Sequence, residues 1–261
     1  MSFLKWPVLL VVLVLLVWSR HFFIPNTPLS TPQTSVPILS PTKTPNPSIS
    51  IVFNDTQYRA SWFIVYPRFS IRLIPNFTEK KTARTIIDQL QCKNLVNGGY
   101  YTKEFQPLGL FISDEKVLSR TLTNPLVNGF VAKSKNGTQT VSAVAPDPAK
   151  ILWALQSGPM LVEDGQKRLL SINNDEYARR IIAATTNQGL LVFIALFSED
   201  NPYQGPLLAH VPSILMKLEE RQNFTFVNAV NLDGGSASTF FSQDLFLQEL
   251  TPIGSFLCIS Y

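Results

Sequence analysis

The chain of 261 residues has a hydrophobic fraction of 45%, a charged fraction of 15% and a formal net charge of +4. These fractions are ordinary for a folded domain with a real core. The basic residues are scattered and form no stripe interleaved with aromatics, which argues against a nucleic-acid-binding protein.

Residues 1–24 are predicted to form a membrane segment. The run from Trp6 to Trp18 contains no charge, and Lys5 and Arg20 flank it. Such a run suits the core of a signal peptide, but cleavage needs small residues, and the first alanine is Ala60. We therefore expect an uncleaved signal anchor, with the main part of the chain membrane-anchored and extracytoplasmic. If the segment is cleaved, the protein is secreted.

Residues 25–49 are predicted to be a linker. Proline recurs every few residues, Ser and Thr fill most gaps, and Lys43 is the only charged residue. Such a sequence cannot bury enough apolar surface to offset the entropy of ordering. A semi-extended linker after an anchor would hold a domain away from a membrane.

Residues 50–261 are predicted to form a single α+β domain with a mixed, strand-rich sheet and a few packed helices. Residues 68–74 alternate polar and apolar, which is typical of a half-buried strand. Further strands are predicted at residues 51–53, 58–66, 95–96, 151–155 and 226–232, and hairpins at 108–118 and 181–197. Helices are expected at 78–91, with Thr78 as N-cap, and at 212–221.

Cys92 and Cys258 are the only cysteines. Outside the cytoplasm such a pair indicates a disulfide, which would close a long loop. Two separately buried free thiols are the alternative.

The segment from Asn231 to Thr239 reads Asn-Leu-Asp-Gly-Gly-Ser-Ala-Ser-Thr and carries the strongest chemical signal. An apolar strand delivers Asp233 to its end, and the paired glycines after it let the backbone turn sharply and present N–H groups to an anion. The alternative for this segment in isolation is an ordinary Asp-Gly hairpin turn.

Three weaker motifs accompany it. Asn97 begins the run Asn-Gly-Gly-Tyr-Tyr, whose aromatics suit stacking against a sugar ring. Residues 156–165 are predicted to be a strand that contains Gly-Pro and ends in an Asp-Gly turn. Arg179 and Arg180 open a predicted strand; the planar guanidinium of Arg179 suits phosphate, whereas Arg180 is predicted to be a solvated surface residue.

Taken in order, these segments resemble the phosphodiester glycosidase domain family. This family includes the lysosomal enzyme N-acetylglucosamine-1-phosphodiester alpha-N-acetylglucosaminidase and many bacterial envelope proteins. Its pattern of Asn-Gly-Gly, Pro-x-Gly, Gln-x-Gly-Pro, a strand-opening Arg and a terminal Asn-Leu-Asp-Gly-Gly is matched from residue 97 to residue 239. Ser236 replaces the third glycine of the family's terminal motif.

The resemblance implies an enzyme that hydrolyses a sugar-1-phosphodiester of N-acetylglucosamine type, in envelope glycan or exopolysaccharide metabolism. It implies Asp233 and Arg179 as catalytic residues, with Arg179 holding the phosphate. The expected substrate-binding residues are Asn97, Gly98, Gly99, Tyr100, Asn231, Gly234, Gly235, Ser236 and Ser238. No cofactor is expected; a structural or divalent-cation-binding role is the alternative for Asp233. The alternative function is a non-catalytic envelope module that binds polysaccharide or glycan-phosphate.

Overall fold

The computed structural model describes residues 48–261. The predicted membrane segment at residues 1–24, and the predicted linker up to residue 47, lie outside the described residues. The first strand begins at Ser48, so it includes two residues that the composition had placed in the linker. Neither helix of the described part has the length and hydrophobicity that a membrane span requires.

The described elements are, in chain order, β1 (Ser48–Phe53), β2 (Thr56–Val65), β3 (Ser70–Pro75), α1 (Ala83–Leu90), β4 (Asn94–Asn97), β5 (Phe111–Ser113), β6 (Lys116–Ser119), β7 (Gly129–Ser134), β8 (Gln139–Ser142), β9 (Ile151–Ser157), β10 (Met160–Glu163), β11 (Gln166–Lys167), β12 (Arg180–Thr186), β13 (Leu191–Ser198), α2 (Val211–Glu219), β14 (Phe226–Asn231), β15 (Phe240–Ser242), β16 (Leu245–Leu247) and β17 (Ser255–Ser260). Short 3-10 turns lie at Pro148–Lys150, Leu208–His210 and Gly235–Ala237. The prediction of a strand-rich α+β domain with few helices is confirmed.

The strands form three sheets. A seven-stranded sheet has the order β1-β2-β13-β12-β14-β10-β11, and two five-stranded sheets have the orders β16-β15-β4-β17-β3 and β6-β5-β9-β7-β8. Every strand pair within residues 48–261 is antiparallel, so the predicted mixed sheet is wrong. Parallel neighbours need long crossovers that usually contain a helix. Here many neighbouring strands are joined by short turns instead.

The core lies between the three sheets, and the side chains of β12 contribute to two of its clusters. Ile181 and Ala183 point into a cluster to which all three sheets contribute, whereas Ile182 and Ala184 point into a second cluster that α2 covers. Because both faces are buried, β12 reads as a continuous apolar run instead of an alternating one.

Helix α1 covers the outer face of the sheet that contains β4 and β17, through Ile86 and Ile87. Its N-cap is Thr82, whose Oγ1 accepts a hydrogen bond from Thr85 N at 3.2 Å. The predicted N-cap Thr78 is therefore wrong. The chain first makes a turn closed by Asn76, whose Oδ1 accepts from Lys81 N, and only then enters the helix.

Residues 156–165 do not form one strand, as predicted, but two strands in different sheets. β9 ends at Ser157, Gly158 and Pro159 follow, and β10 continues in the seven-stranded sheet. Proline has no N–H for a sheet ladder, so the chain leaves one sheet here and enters another. The predicted Asp-Gly turn does join β10 to β11.

Cys92 and Cys258 form a disulfide, with the two Cα atoms 5.5 Å apart and a sequence separation of 166 residues. Of the two alternatives that the sequence left open, a bridge or two free thiols, the structure shows the bridge. It joins the segment that leads into β4 to the last strand β17, and both sulfur atoms lie in the cluster under α1.

We expect the double substitution Cys92→Ser and Cys258→Ser to lower the free energy of unfolding by about 2–5 kcal/mol, because the unfolded chain then loses a long covalent loop. Urea unfolding followed by circular dichroism measures this loss. A reductant should destabilise the wild type by a similar amount and leave the double variant unchanged. Equal unfolding midpoints for the two proteins would contradict the prediction.

Candidate functional site

Strand ends from all three sheets meet at one place. β4 ends at Asn97, β9 ends at Ser157, and in the seven-stranded sheet β14 ends at Asn231 beside the start of β12 at Arg180. We call this region the strand-end site. It contains residues 97–100, 157–159, 179–180 and 231–238, so the paired-glycine segments and the strand-opening arginines of the sequence motifs come together.

Asn97 holds two of these segments against each other. Its side chain is fully buried; Nδ2 donates to Asp233 O at 2.8 Å and to Gly98 O at 3.0 Å, and Oδ1 accepts from Thr239 N at 3.0 Å. Both amide protons are thus used on backbone carbonyls. This geometry leaves no amide proton for the predicted substrate contact, and Asn97 positions the two segments instead.

Asn231, Tyr100 and Gly158 form a second buried contact. Asn231 Nδ2 donates to Tyr100 Oη at 2.7 Å, and Tyr100 Oη donates to Gly158 O at 2.7 Å. Asn231 Oδ1 is buried without a hydrogen-bond partner among the described residues. Burial raises the pKa of Tyr100 and the charge of Asp233 raises it further, so the hydroxyl stays protonated near neutral pH.

Arg179 is fully buried, and its guanidinium is used inside the protein. Nε donates to Ser238 Oγ at 2.8 Å, Nη1 to Pro202 O at 3.2 Å, and Nη2 to Ser238 O and to Gln248 O. Burial lowers the pKa of Arg179 to about 10, so the group stays charged at neutral pH. The predicted phosphate contact by Arg179 does not fit this arrangement, because backbone and hydroxyl oxygens already occupy its donors.

Arg180 is the arginine that borders the strand-end site. Side chains alternate across a strand, so Arg179 and Arg180 point to opposite faces. The register pairs Ile182 with Asn231, and its continuation places Arg180 across from Asp233. The Arg180 Cδ atom lies 3.8 Å from the position that a Cβ on Gly234 would take.

Arg180 is not the solvated surface residue that the sequence predicts. Only 9% of its surface is exposed. Its Nε donates to Pro206 O at 3.1 Å, and its Nη2 donates to Glu176 O and to Asp175 Oδ1. Within residues 48–261, Nη1 makes no hydrogen bond. Its neighbour Asp175 carries no motif signal in the sequence, and only its position five residues before Arg180 could have suggested it.

Asp233 lies at the end of β14 and is partly exposed. Burial of the carboxyl group raises its pKa from 3.8 to about 7, opposed by the hydrogen bond from Gly234 N to Oδ1 at 2.9 Å. No ion pair joins it to any residue in the described part of the chain. A carboxyl group of this kind changes its protonation state near neutral pH.

The predicted anion-binding N–H groups are used internally. Gly234 N donates to the Asp233 carboxylate, and Gly235 N donates to Arg179 O at 2.9 Å. Gly98, predicted to bind substrate, likewise donates its N–H to Ser255 O at 2.8 Å. Close packing excludes a side chain at two of these glycines: a Cβ on Gly98 would lie 2.2 Å from Ser255 Oγ, and one on Gly234 would lie 2.8 Å from Arg179 O.

The two serines predicted to bind substrate, Ser236 and Ser238, differ in exposure. Ser238 is buried between Arg179 and Gly235 O, which is inconsistent with direct substrate contact. Ser236 is exposed at the rim of the site. Gly99 is buried, and a Cβ there would lie 2.6 Å from Gln156 O. Ser236 is therefore exposed, Asp233 and Tyr100 are partly exposed, and Arg180 is largely buried at the edge of the site.

Of two cavities in the described residues, one lies away from the strand-end site and one lies at its edge. One of about 570 Å³ lies between the end of β3 and α1, and one of about 220 Å³ lies beside Pro159. Neither is lined by Asp233, Arg180 or Tyr100. Residues 48–261 contain no cluster of three or more His, Cys, Asp or Glu side chains that could hold a metal ion.

Comparison with known proteins assigns the chain to a family. The profile of the phosphodiester glycosidase family (NAGPA) matches residues 91–258. The chain therefore belongs to the phosphodiester glycosidase family. A search of curated proteins gave no match.

Solved structures show the same fold. The zebrafish N-acetylglucosamine-1-phosphodiester alpha-N-acetylglucosaminidase catalytic domain, auto-inhibited by pro-peptide, is similar with a TM-score of 0.64 and 16% identity, over 84% of this chain and 85% of that chain. A hypothetical protein from Synechocystis is similar with a TM-score of 0.56 and 13% identity, over 81% of this chain and 61% of that chain.

We expect Arg179→Ala to lower the free energy of unfolding by about 3–5 kcal/mol, because it leaves several buried carbonyl groups without donors. The matched control is Arg72→Ala on an exposed position of β3, for which we expect a change within about 0.5 kcal/mol. Chemical unfolding measures both. A loss at Arg179 no larger than that at Arg72 would show that the buried guanidinium is not structural.

We expect Asp233→Asn to stabilise the fold at alkaline pH. The folded-state pKa of Asp233 lies above its unfolded value, so ionisation costs wild-type stability as pH rises from about 4 to about 7. The variant should gain about 1–3 kcal/mol over the wild type at pH 8, and the gain should shrink toward pH 4. Melting temperatures across this range measure it, with Asp88→Asn on the exposed face of α1 as control. A gain that does not depend on pH would contradict the assignment.

Proposed function

We propose that this protein is an extracytoplasmic glycosidase that cleaves the bond between the anomeric carbon of a sugar and the phosphate of a phosphodiester. An N-acetylglucosamine-type sugar is the proposed substrate, in the metabolism of envelope glycan or exopolysaccharide. Family membership supports the reaction class. The observation that carries the assignment is that Tyr100 interacts electrostatically with both Asp233 and Arg180, which stand at adjacent strand ends and form no ion pair with each other.

Arg180 is the proposed phosphate-binding residue, in place of Arg179. Its Nη1 group makes no hydrogen bond to any of residues 48–261 and is the donor proposed to bind the phosphate. A guanidinium donates charge-assisted hydrogen bonds to phosphate oxygens, and these hold the phosphate in place while the anomeric carbon–oxygen bond breaks and its electron pair moves to the phosphate. Phosphate is a good leaving group, so less general-acid help is needed than for an ordinary glycoside.

Asp233 is the proposed catalytic carboxylate. In its ionised form it stabilises positive charge at the anomeric carbon and acts as nucleophile or as base toward water. Water supplies the oxygen of the free sugar, and the other product is a phosphate monoester. Tyr100, kept neutral and fixed by Asn231 and Gly158, forms a wall of the sugar site.

The proposed location outside the cytoplasm has two supports. The sequence at residues 1–24 is typical of an export signal or anchor. The disulfide between Cys92 and Cys258 is of a kind that persists in oxidising compartments.

The test is an assay of the purified full-length chain with aryl phosphodiesters of N-acetylglucosamine 1-phosphate and of other sugar 1-phosphates. We expect release of free sugar, with kcat/KM rising with pH through about 7, because the ionised form of Asp233 is the active one. Asp233→Asn and Arg180→Ala should each lower kcat/KM by about 10²–10³-fold. Arg180→Lys should restore part of the activity.

The alternative of a non-catalytic glycan-phosphate-binding module makes a different prediction. It gives saturable binding of these compounds with no release of sugar in the wild type. Sugar release that persists in Asp233→Asn would contradict the catalytic role of that residue while leaving the reaction class intact.

A further inference from the structure

Asp175 lies in the connection between β11 and β12, outside every motif of the sequence, and it forms a hydrogen-bonded ion pair with Arg180. Its Oδ1 accepts hydrogen bonds from Arg180 Nη2 at 3.1 Å and from Leu208 N at 3.0 Å, and its Oδ2 accepts from Ala209 N at 2.9 Å. Both side chains of the ion pair are 11% exposed. The carboxylate is thus held by three donors from two segments and fixes the direction of the guanidinium.

The Asp175–Arg180 pair also sets the charge at the strand-end site. Asp175 and Glu176 both favour the charged form of Arg180, while burial lowers its pKa. The other arginine, Arg179, is turned away and occupied by internal oxygens. The site therefore presents a guanidinium whose positive charge a fixed carboxylate already balances, and Asp233 adds negative charge when it ionises.

We propose, on the basis of the proposed function, that Asp175 is a specificity-determining residue that makes the site select monoanionic phosphodiesters and disfavour dianionic phosphate monoesters. A diester carries one negative charge at neutral pH. A monoester, whose second pKa is about 6, carries nearly two. The second negative charge of the monoester is attracted less strongly by Arg180, because Asp175 already balances the charge of this guanidinium. The Asp175 carboxylate also repels that second charge.

This selection has a direct consequence for turnover. Cleavage of the anomeric bond converts a diester into a free sugar and a phosphate monoester, so the phosphate gains a charge when it ionises after the reaction. The same carboxylate that orients Arg180 for the substrate then favours release of the product.

The test measures binding without turnover, using methyl phenyl phosphate as the diester and phenyl phosphate as the monoester, by calorimetry at pH 8 with the full-length chain. Wild type should bind the diester more tightly. Asp175→Asn should raise the affinity for the monoester relative to the diester by roughly tenfold, and Asp175→Glu should keep the wild-type preference. Asp88→Asn removes a distant charge and serves as the matched control.

A ratio of the two affinities that stays unchanged in a folded Asp175→Asn variant overturns the proposal, as does failure of both compounds to bind. If that variant does not fold, the same ratio is measured in Asp233→Asn between pH 8 and pH 5. Protonation of the monoester should then bring its affinity toward that of the diester, and a constant ratio overturns the proposal. Neither compound contains a sugar, so this result is independent of whether the chain releases sugar from glycosyl phosphodiesters.

Discussion

The site depends on the buried amide of Asn97. This side chain ties the end of β4 to the backbone at Asp233 and Thr239, and so joins a five-stranded sheet to the seven-stranded one. A buried amide that satisfies backbone groups on both sides fixes their separation closely, because any shift leaves a polar group unpaired. Asp233 is therefore presented at a fixed place by a residue that does not itself face the ligand.

The adjacent residues Arg179 and Arg180 have different structural roles. Arg179 stabilises the turn around Ser238 and Gln248 from inside, and Arg180 lies at the start of β12, beside the end of β14 that leads into Asp233. Both are desolvated, but their oxygen partners differ: Arg179 has carbonyl and hydroxyl partners, and Arg180 has a carboxylate as well. A buried arginine without a carboxylate partner is a stable arrangement only when many neutral oxygens surround it.

The family profile shows that the chain belongs to the phosphodiester glycosidase family, whereas the structural similarity at 16% identity shows a shared fold alone. The family match spans residues 91–258, and several motif residues within it, including Asn97, Gly98 and Ser238, serve the architecture of the strand ends. The motifs therefore preserve the frame on which a carboxyl and a guanidinium group are displayed. In the proposed function, substrate identity depends on the groups that border the site, such as Arg180 and the Asp175 that holds it.

The sequence by itself determined the strand-rich α+β class, most strand positions, the family and the region of the site. These follow from local periodicity and from the order and spacing of motifs, which can be read directly from the linear sequence. It did not determine that all strand pairs are antiparallel, that Cys92 pairs with Cys258, or that residues 156–165 cross between sheets. Above all, tertiary structure decided which arginine is available, because burial and the oxygens that surround Arg179 come from segments distant along the chain, such as Pro202, Ser238 and Gln248.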